Sequence, residues 1–530
     1  MSTWLRLDGA GSQTSGREAL SESQAVDAPS DMPLAIAELK FDSSSLVPIR
    51  QQICEAIRAA IWSHELPPGT LLPNSRVLAD HLGVSRNTVV FAYTRLVNES
   101  LCESKTRRGT RVARDIPYFS QTVETSRLEA PSASTAPLRA AFNARHALET
   151  RVNRVSDRVP FALIASDPVL YPRTKLGRRL ADKFLSAPPV IHNSPSSASC
   201  NTHFQRSVAA YLRNVRGVVC DPEQVVAVSG LESALNLTAR VLIDPGDSVA
   251  VEDPAMDIVR SAFSSAGAQM FPISSDGQGA NPSRMRGPPA RLIYVSPSVS
   301  FPFGAQMPER RRLEILAAAR SQNAIVFECD SCGELRYGGG RLKSLYGLDA
   351  DQRVVHYGGF FQTLGVFVNV GYLVVPKSLR DCFREIGYLV TTTPPAPVLD
   401  AIAEFVEENE YAAHIRTVRS VYAKRLETVK RACKELLPDV AVSEPLGGLH
   451  VVLQFDAEFD ECAVSELAAL ENLPVRSLSQ YYQQKCWQKG LVLGFGAVSD
   501  QSVRSLVGRI AELIGEAKRA TRAPLAEVSR

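Results

Sequence analysis

The sequence predicts an α/β chain in two parts: a small helical unit ending in a basic strand pair, then a large domain of alternating strands and helices. Three observations predict it. Ile49, Ile53, Ile57 and Ile61 recur every four residues as one apolar helical stripe, and further capped helical segments follow. A basic turn then lies between two short strand-like runs. From about residue 159 to the C-terminus, short apolar runs alternate with helical stretches, the pattern of a mainly parallel sheet covered by helices.

The length of 530 residues exceeds one ordinary domain, and 45% hydrophobic with 22% charged residues is the balance of a globular chain. A net charge of +3 is too small for a uniformly basic nucleic-acid coat, so DNA binding requires a local concentration of Lys and Arg. Met1 to Gln13 has no basic stretch leading into an apolar core, and no later run approaches the ~18 to 20 apolar residues that span a bilayer. A cytoplasmic protein with no membrane partner is expected. The 10 cysteines are scattered from Cys54 to Cys486. Cys329 and Cys332 form the one close pair, and a single C-x-x-C without a second pair or a nearby His is weak for zinc. No metal is expected.

In chain order, residues 1–37 are rich in Ser, Gly, Ala and acidic residues without periodicity and are expected to be a disordered tail. Residues 40–113 carry the helical unit. After the isoleucine stripe, Pro67-Pro68-Gly69 breaks the chain; Asn74 or Ser75 can cap a short helix running to Leu82. Gly83 supplies a left-handed stop and Ser85 can cap the next helix. The result is helix, tight turn, helix. In the helix from Arg86 to about Asn98, Val89, Tyr93, Leu96 and Val97 face inward, leaving Arg86, Asn87, Thr88 and Phe91 nearer the exposed N-terminal part. Such a first turn suits a major groove, where Arg and Asn read base edges and Thr holds phosphate. Leu101 to Ala113 reads as two short strands around a turn bearing Lys105, Arg107 and Arg108, with Arg111 beyond. A solvated hairpin would account for a basic turn alone; the order of these pieces favours DNA.

Residues 114–158 are expected to be a linker, interrupted by Pro117 and Pro131 to Pro137, with a helical part within Leu138 to Val152. In the domain 159–530, strands are expected at Val225 to Val228, Ser248 to Val251, Leu292 to Val295, Ala324 to Phe327, Val354 to Tyr357 and Tyr372 to Val375.

The stretches Leu66-Pro67-Pro68-Gly69-Thr70-Leu71-Leu72-Pro73-Asn74-Ser75-Arg76, Leu82-Gly83-Val84-Ser85-Arg86-Asn87-Thr88-Val89 and Arg108-Gly109-Thr110-Arg111-Val112 closely resemble the GntR-type winged helix-turn-helix. The resemblance implies that Arg76, Ser85, Arg86, Asn87, Thr88, Lys105, Arg107, Arg108, Gly109 and Thr110 form the DNA-binding surface. The remainder resembles the aminotransferase-like effector domain of the MocR/GabR subfamily of GntR regulators. That likeness is carried by Arg216 to Val225, Asp244-Pro245-Gly246-Asp247 with Glu252-Asp253-Pro254, Glu334-Leu335-Arg336-Tyr337, Gly448-Leu449-His450 and Leu493-Gly494-Phe495. It implies the fold type I of pyridoxal-phosphate (PLP) aminotransferases and a head-to-tail homodimer on two operator half-sites.

The resemblance also implies a PLP site, and a functional one needs a Schiff-base lysine, a carboxylate on the ring nitrogen, an aromatic stack and phosphate donors. Gln362, in Gly358-Gly359-Phe360-Phe361-Gln362-Thr363-Leu364, takes the place of the lysine and cannot form an imine. Cys329 stands for the ring-pairing Asp and Ser331 for the Tyr. Met256 replaces the stacking Tyr, Glu232 follows the phosphate turn Ser229-Gly230 where the family has Gln, and Asn369 replaces a basic residue. The family's Pro-Ser-His-Gln reads Pro297-Ser298-Val299-Ser300, with Phe303 before Gly304. No catalytic residue and no covalently held PLP are therefore expected. Two roles stay open for the altered site: Gln362, Cys329, Met256 and Phe303 fill it as core, or they line a cavity for an unidentified small-molecule effector. The competing expectation is a PLP-responsive regulator or active aminotransferase using another lysine, such as Lys343 in a Gly-rich loop.

Overall fold

The computed structural model describes residues 32–39, 42, 45, 47–105, 109–114, 163, 166–186, 197–338, 340, 342–365, 367–390, 393–473, 475–483 and 488–522. The chain divides into two compact units, residues 1–137 and 138–530.

In the first unit, α1 (Leu34–Ala37) precedes α2 (Ile49–Trp62), in which Ile53, Ile57 and Ile61 are buried as the four-residue spacing requires. Gly69 turns the chain with φ +87°, a conformation that costs glycine little. The caps foreseen in the sequence form. The Asn74 side chain accepts the Arg76 and Val77 N–H groups at 3.1 and 3.0 Å to start α3 (Ser75–Leu82), and Gly83 ends it at φ +63°. Ser85 accepts the Thr88 N–H at 3.2 Å to start α4 (Arg86–Asn98). Val89, Ala92, Tyr93 and Leu96 of α4 pack with Ile53, Ile57 and Leu78 into one core. β1 (Cys102–Lys105) and β2 (Gly109–Val112) pair antiparallel, and a bridge from Leu71 to Arg111 adds a third segment to this wing.

One boundary needs correction. Residues 34–37 were expected in the disordered tail, yet they form α1; Ile36 is 0% exposed in the core, and the Ala37 carbonyl contacts His81 Nε2 at 3.0 Å. Four residues behind Pro33 are too few to show periodicity, so this turn is held by burial rather than by its own pattern. Residues 1–31 of the expected tail, and the expected linker 114–158 apart from Arg114, lie outside the described residues, including its Leu138 to Val152 helix.

The large unit opens with α5 (Arg173–Ser186) and α6 (Ser197–Tyr211), then alternates β3 (Val225–Val228), α7 (Gly230–Leu242), β4 (Ser248–Asp253), α8 (Asp257–Ser265), β5 (Gln269–Asp276), β6 (Gly279–Ala280) and β7 (Leu292–Val295). The chain continues through α9 (Glu309–Ser321), β8 (Ile325–Cys329), α10 (Leu345–Leu348), β9 (Val354–Gly359), α11 (Phe361–Leu364), β10 (Gly371–Val374), α12 (Arg380–Leu389), α13 (Ala396–Glu407) and α14 (Glu410–Leu436). It ends with β11 (Ala441–Val442), β12 (His450–Phe455), α15 (Glu461–Leu470), β13 (Arg476–Ser477), β14 (Lys489–Gly494) and α16 (Val503–Arg522).

Among the described residues the main sheet has eight strands in the order β3-β10-β9-β8-β7-β4-β5-β6. Strands β9, β8, β7, β4 and β5 run parallel, whereas β10 is antiparallel to both β3 and β9. Both faces are covered. Val249, Val251, Leu292, Tyr294 and Phe327 pack toward α7, α8 and α12, while Ala250, Ile293, Val295 and Val326 pack with Ile315 and Ala319 of α9. Burial on both sides explains why these strands read as continuous apolar runs. A second, antiparallel sheet in the order β11-β12-β14-β13 packs Val451, Leu453, Leu491 and Leu493 with residues of α14 and α16. Its other face, Val452 and Val492, gathers Leu478, Tyr481 and Tyr482 with Phe301 and Phe303.

Candidate functional site

The two ends of the helix-turn-helix are tied at its exposed corner. Arg86 Nε donates to Ser75 Oγ at 3.3 Å, joining the first residues of α4 and α3, and Tyr93 OH donates to the Pro73 carbonyl at 2.8 Å beneath them. Arg76, Arg86 and Asn87 are exposed and Thr88 is half-buried. The Ser85 and Thr88 hydroxyls lie 2.8 Å apart at the N-terminus of α4, where unpaired N–H groups and the helix dipole favour an anion. The wing brings Gly109, at φ +78°, and Thr110 beside Leu71 and Leu72; Leu72 N–H donates to the Thr110 carbonyl at 2.9 Å. Lys105 pairs with Gly109 through its backbone. Its side chain, and Arg107 and Arg108, lie outside the described residues.

Two features of this unit escaped the sequence. Arg111 reaches back to the Gly69 carbonyl, Nη1 to O 3.2 Å, stitching the wing to the turn. Arg50 of α2 lies over the exposed ring of Phe91, its guanidinium carbon 4.8 Å from the centroid. Forty-one positions separate that pair, so nothing local signals it.

In the large unit, β9 ends on two glycines because Cβ atoms at Gly358 and Gly359 would stand 2.2 Å from the Tyr372 hydroxyl and 2.7 Å from the Tyr357 hydroxyl. The turn that follows delivers Gln362 on α11. Its Oε1 accepts from the Cys332 thiol at 2.9 Å. The Ser331 hydroxyl lies between Cys332 and Cys329, at 3.9 and 3.6 Å. Cys329 and Met256 belong to one apolar cluster with Tyr294 and Phe327. Burial pushes the Cys329 thiol up and the Cys332 thiol up to about 12. Gln362, Cys332, Ser331 and Cys329 are thus linked by a chain of contacts, and Met256 packs against the apolar cluster that holds Cys329.

Asp330, next in the chain, is spent elsewhere. It forms a buried ion pair with Arg216, which also donates to the Gly333 carbonyl at 2.6 Å and approaches Glu334 at 3.5 Å. Burial raises the Asp330 carboxyl, but Arg216, together with His356, Ser298 and Arg312, holds it below its ordinary value. Glu328 is fully buried on the same strand and accepts from Leu345 N, Tyr346 N and His356 Nδ1 at 2.7, 3.0 and 2.9 Å.

At the start of α7, Gly230 takes φ +79°, and a Cβ there would lie 2.2 Å from Asn369 Oδ1. The Asn369 carboxamide therefore lies against the first residue of this helix, with Nδ2 donating to the Ser229 carbonyl at 3.4 Å. Glu232 is exposed on the same turn. Phe303 packs toward the second sheet, and Lys343 is exposed, its carbonyl accepting from Arg312 at 3.1 Å. Two surface clefts, about 290 and 230 Å³, are lined by residues including Tyr346, Asp349 and Lys377, and Leu313, Arg320 and Asp351. None of the altered-site residues lines either. Among the described residues no three His, Cys, Asp or Glu gather as a metal site requires, and no helix is long and apolar enough to cross a membrane.

A winged helix-turn-helix followed by a doubly covered sheet of this topology defines a DNA-binding regulator with an aminotransferase-like domain, and comparison with known proteins bears this out. Residues 49–112 match the family described as "Bacterial regulatory proteins, gntR family". The chain is 30% identical over 469 residues to the "Probable rhizopine catabolism regulatory protein MocR" of Rhizobium meliloti, covering 88% of this chain and 94% of that one. It is 27% identical over 484 residues to the "HTH-type pyridoxine biosynthesis transcriptional regulator PdxR" of Corynebacterium glutamicum, covering 91% and 99%. The large unit has the fold of an archaeal alanine:glyoxylate aminotransferase, with TM-score 0.64 at 23% identity over 71% of this chain and 95% of that one. The chain belongs to the MocR-type family of GntR transcriptional regulators.

Proposed function

We propose that this regulator reads operator DNA through α4 and the wing, as a cytoplasmic homodimer, while its large domain works as a scaffold that has lost PLP chemistry. Arg86 and Asn87 read base edges; Arg76, Ser85 and Thr88 hold phosphate; and Lys105, Arg107, Arg108, Gly109 and Thr110 bring the wing to the backbone. The second part is supported by the Cys332 to Gln362 hydrogen bond of 2.9 Å, which engages the carboxamide of the residue that stands at the lysine's place in the motif and has no amine to form an imine.

The residues present do not fit PLP. Cys329 is a buried thiol with its proton retained, Asp330 is committed to Arg216, and the Asn369 carboxamide lies against the start of α7 where a phosphate would approach its N–H groups. No catalytic step is assigned to the domain. Any effector would be a small molecule of different chemistry.

The test uses the full chain. Duplexes are selected from a random library with wild-type protein, then bound by Arg86→Ala and Asn87→Ala. Both variants are expected to lose most of the preference for the selected sequence while keeping salt-dependent binding to unrelated DNA. Added PLP is expected to leave the wild-type protein without a visible aldimine band. Unchanged sequence preference in both variants would remove α4 from the interface, and a stoichiometric aldimine would restore the cofactor.

A further inference from the structure

We infer that Val90 and Phe91 form an apolar reader for the 5-methyl groups of thymine in the operator. The inference rests on α4 entering the major groove, as proposed above. The α4 core residues Val89, Ala92, Tyr93 and Leu96 define its inward side. At 3.6 residues per turn, Asn87, Val90, Phe91 and Thr94 then fall on the opposite side. Val90 is 40% exposed and Phe91 43%, so this side of the helix presents two large apolar side chains to the solvent.

The polar groups around them are largely committed within the unit, and Phe91 is covered on one face by Arg50. Thr94 Oγ1 donates to the Val90 carbonyl of its own helix at 2.8 Å, so its proton is committed within α4. Arg86 is braced on Ser75, at the first turn. Arg50 lies over Phe91 with its guanidinium carbon 4.8 Å from the ring centroid, which sets a positive charge at the edge of the apolar pair.

A patch with apolar atoms at its centre, a carboxamide at one end and guanidinium groups beside it matches one feature of the major groove. Thymine alone among the four bases presents a methyl group there, flanked by acceptors and by backbone phosphates. A protein partner would also accept apolar side chains. The position of this pair on the second helix of the helix-turn-helix, beside Asn87, favours the groove.

The experiment replaces thymine by uracil, which removes the methyl group and leaves every hydrogen-bonding atom in place. With operators selected by the full chain, each thymine is exchanged in turn and affinity is measured for the wild type, Val90→Ala and Phe91→Ala. At one or more thymines per site, uracil is expected to weaken wild-type binding about fourfold, the effect of one buried methyl group. The same exchange should change binding less than twofold in at least one variant. Melting curves of the variants verify folding, which exposed positions should leave unchanged. A selected site without thymine, a wild type indifferent to uracil everywhere, or a uracil effect that persists in both variants would overturn the inference. If uracil is silent while Arg86→Ala still relaxes sequence preference, the methyl reader fails and the groove assignment stands; if no α4 variant alters preference, the assignment itself fails.

Discussion

Gln362 shows how one residue's chemistry sets what a site can do: its carboxamide carries no nucleophilic amine, and its oxygen is already taken by the Cys332 thiol at 2.9 Å. Gln362→Lys returns the amine but leaves Cys329, Met256, Asn369 and Glu232 unchanged. Each missing charge-assisted contact is worth ~1.5 to 3 kcal/mol, so on the proposed reading their joint absence is expected to weaken the cofactor by several orders of magnitude. We expect no aldimine band when this variant is titrated with micromolar PLP, and no labelled peptide after borohydride trapping and mass spectrometry. Stoichiometric labelling of the introduced lysine would show that the pocket is intact. The substitutions themselves were legible because each falls inside a run of family-like residues. Their new partners were not, since Cys332 lies 30 positions from Gln362, and Asn369 lies 140 from Ser229. A second residue-level expectation concerns Glu252, buried with Ser296 N–H at 2.7 Å and Ser275 Oγ at 3.4 Å. Burial, outweighing these hydrogen bonds, pushes its carboxyl from 4.5 up to about 7. The folded protein therefore keeps a proton that the unfolded chain releases near pH 4.5, and stability falls as pH rises between these values. Glu252→Gln should flatten that slope, by at most about 3 kcal/mol across the window. Urea unfolding from pH 4.5 to pH 8 measures it, and parallel curves for the two proteins would refute it.

Elements whose signal is local were read correctly from the sequence, and those held by distant contacts were not. The Asn74 and Ser85 caps and the Gly83 stop bound α3 and α4 because each acts within three residues of itself. The six expected strands all form, since double burial makes them apolar throughout. In contrast, α1 is too short to show a period, and β5 carries Pro272 and three polar residues, Ser274, Ser275 and Asp276, at its end. The second sheet was missed: its outer strands β11 and β13 have two residues each, and its six-residue strands β12 and β14 were not read as strands from the sequence. The wing illustrates an element whose charge was legible and whose pairing the structure supplies, with β1 and β2 in register from Cys102 and Val112 to Lys105 and Gly109. On the proposed reading, the lysine and arginine side chains there are expected to neutralise phosphates rather than read bases. Arg107→Ala combined with Arg108→Ala is therefore expected to weaken binding to all sequences and to lower the dependence of log K on log salt by about two. Unchanged affinity and slope would remove the wing from the DNA.

For the whole molecule, the proposed reading of DNA by one short recognition helix leads to an expectation about assembly. A single recognition helix contacts a few base pairs and gains specificity chiefly when a second copy binds a neighbouring half-site, because linkage turns the second contact into an intramolecular one. The large unit has two strongly exposed apolar side chains that are candidates for such pairing. Val169 is 87% and Phe367 80% exposed, on segments that approach where Tyr171 packs against Gly365. Neighbouring exposed apolar side chains can form part of an association surface when they join into a larger patch. Relatives that this chain matches over 94% and 99% of their length are named as a regulatory protein and a transcriptional regulator, and two half-sites would suit a two-fold assembly. We therefore expect sedimentation of the full chain at micromolar concentration to give a homodimer, and the selected operators to hold two copies of one half-site. Destroying one copy should weaken binding about a hundredfold, far more than the loss of half the contacts in a non-linked complex. Val169→Asp with Phe367→Asp, each introducing a charge that cannot be desolvated without a partner, should shift the chain toward monomer and produce the same loss without any change at α4. A wild-type monomer that still binds its operator tightly, with one half-site as good as two, would contradict this assembly.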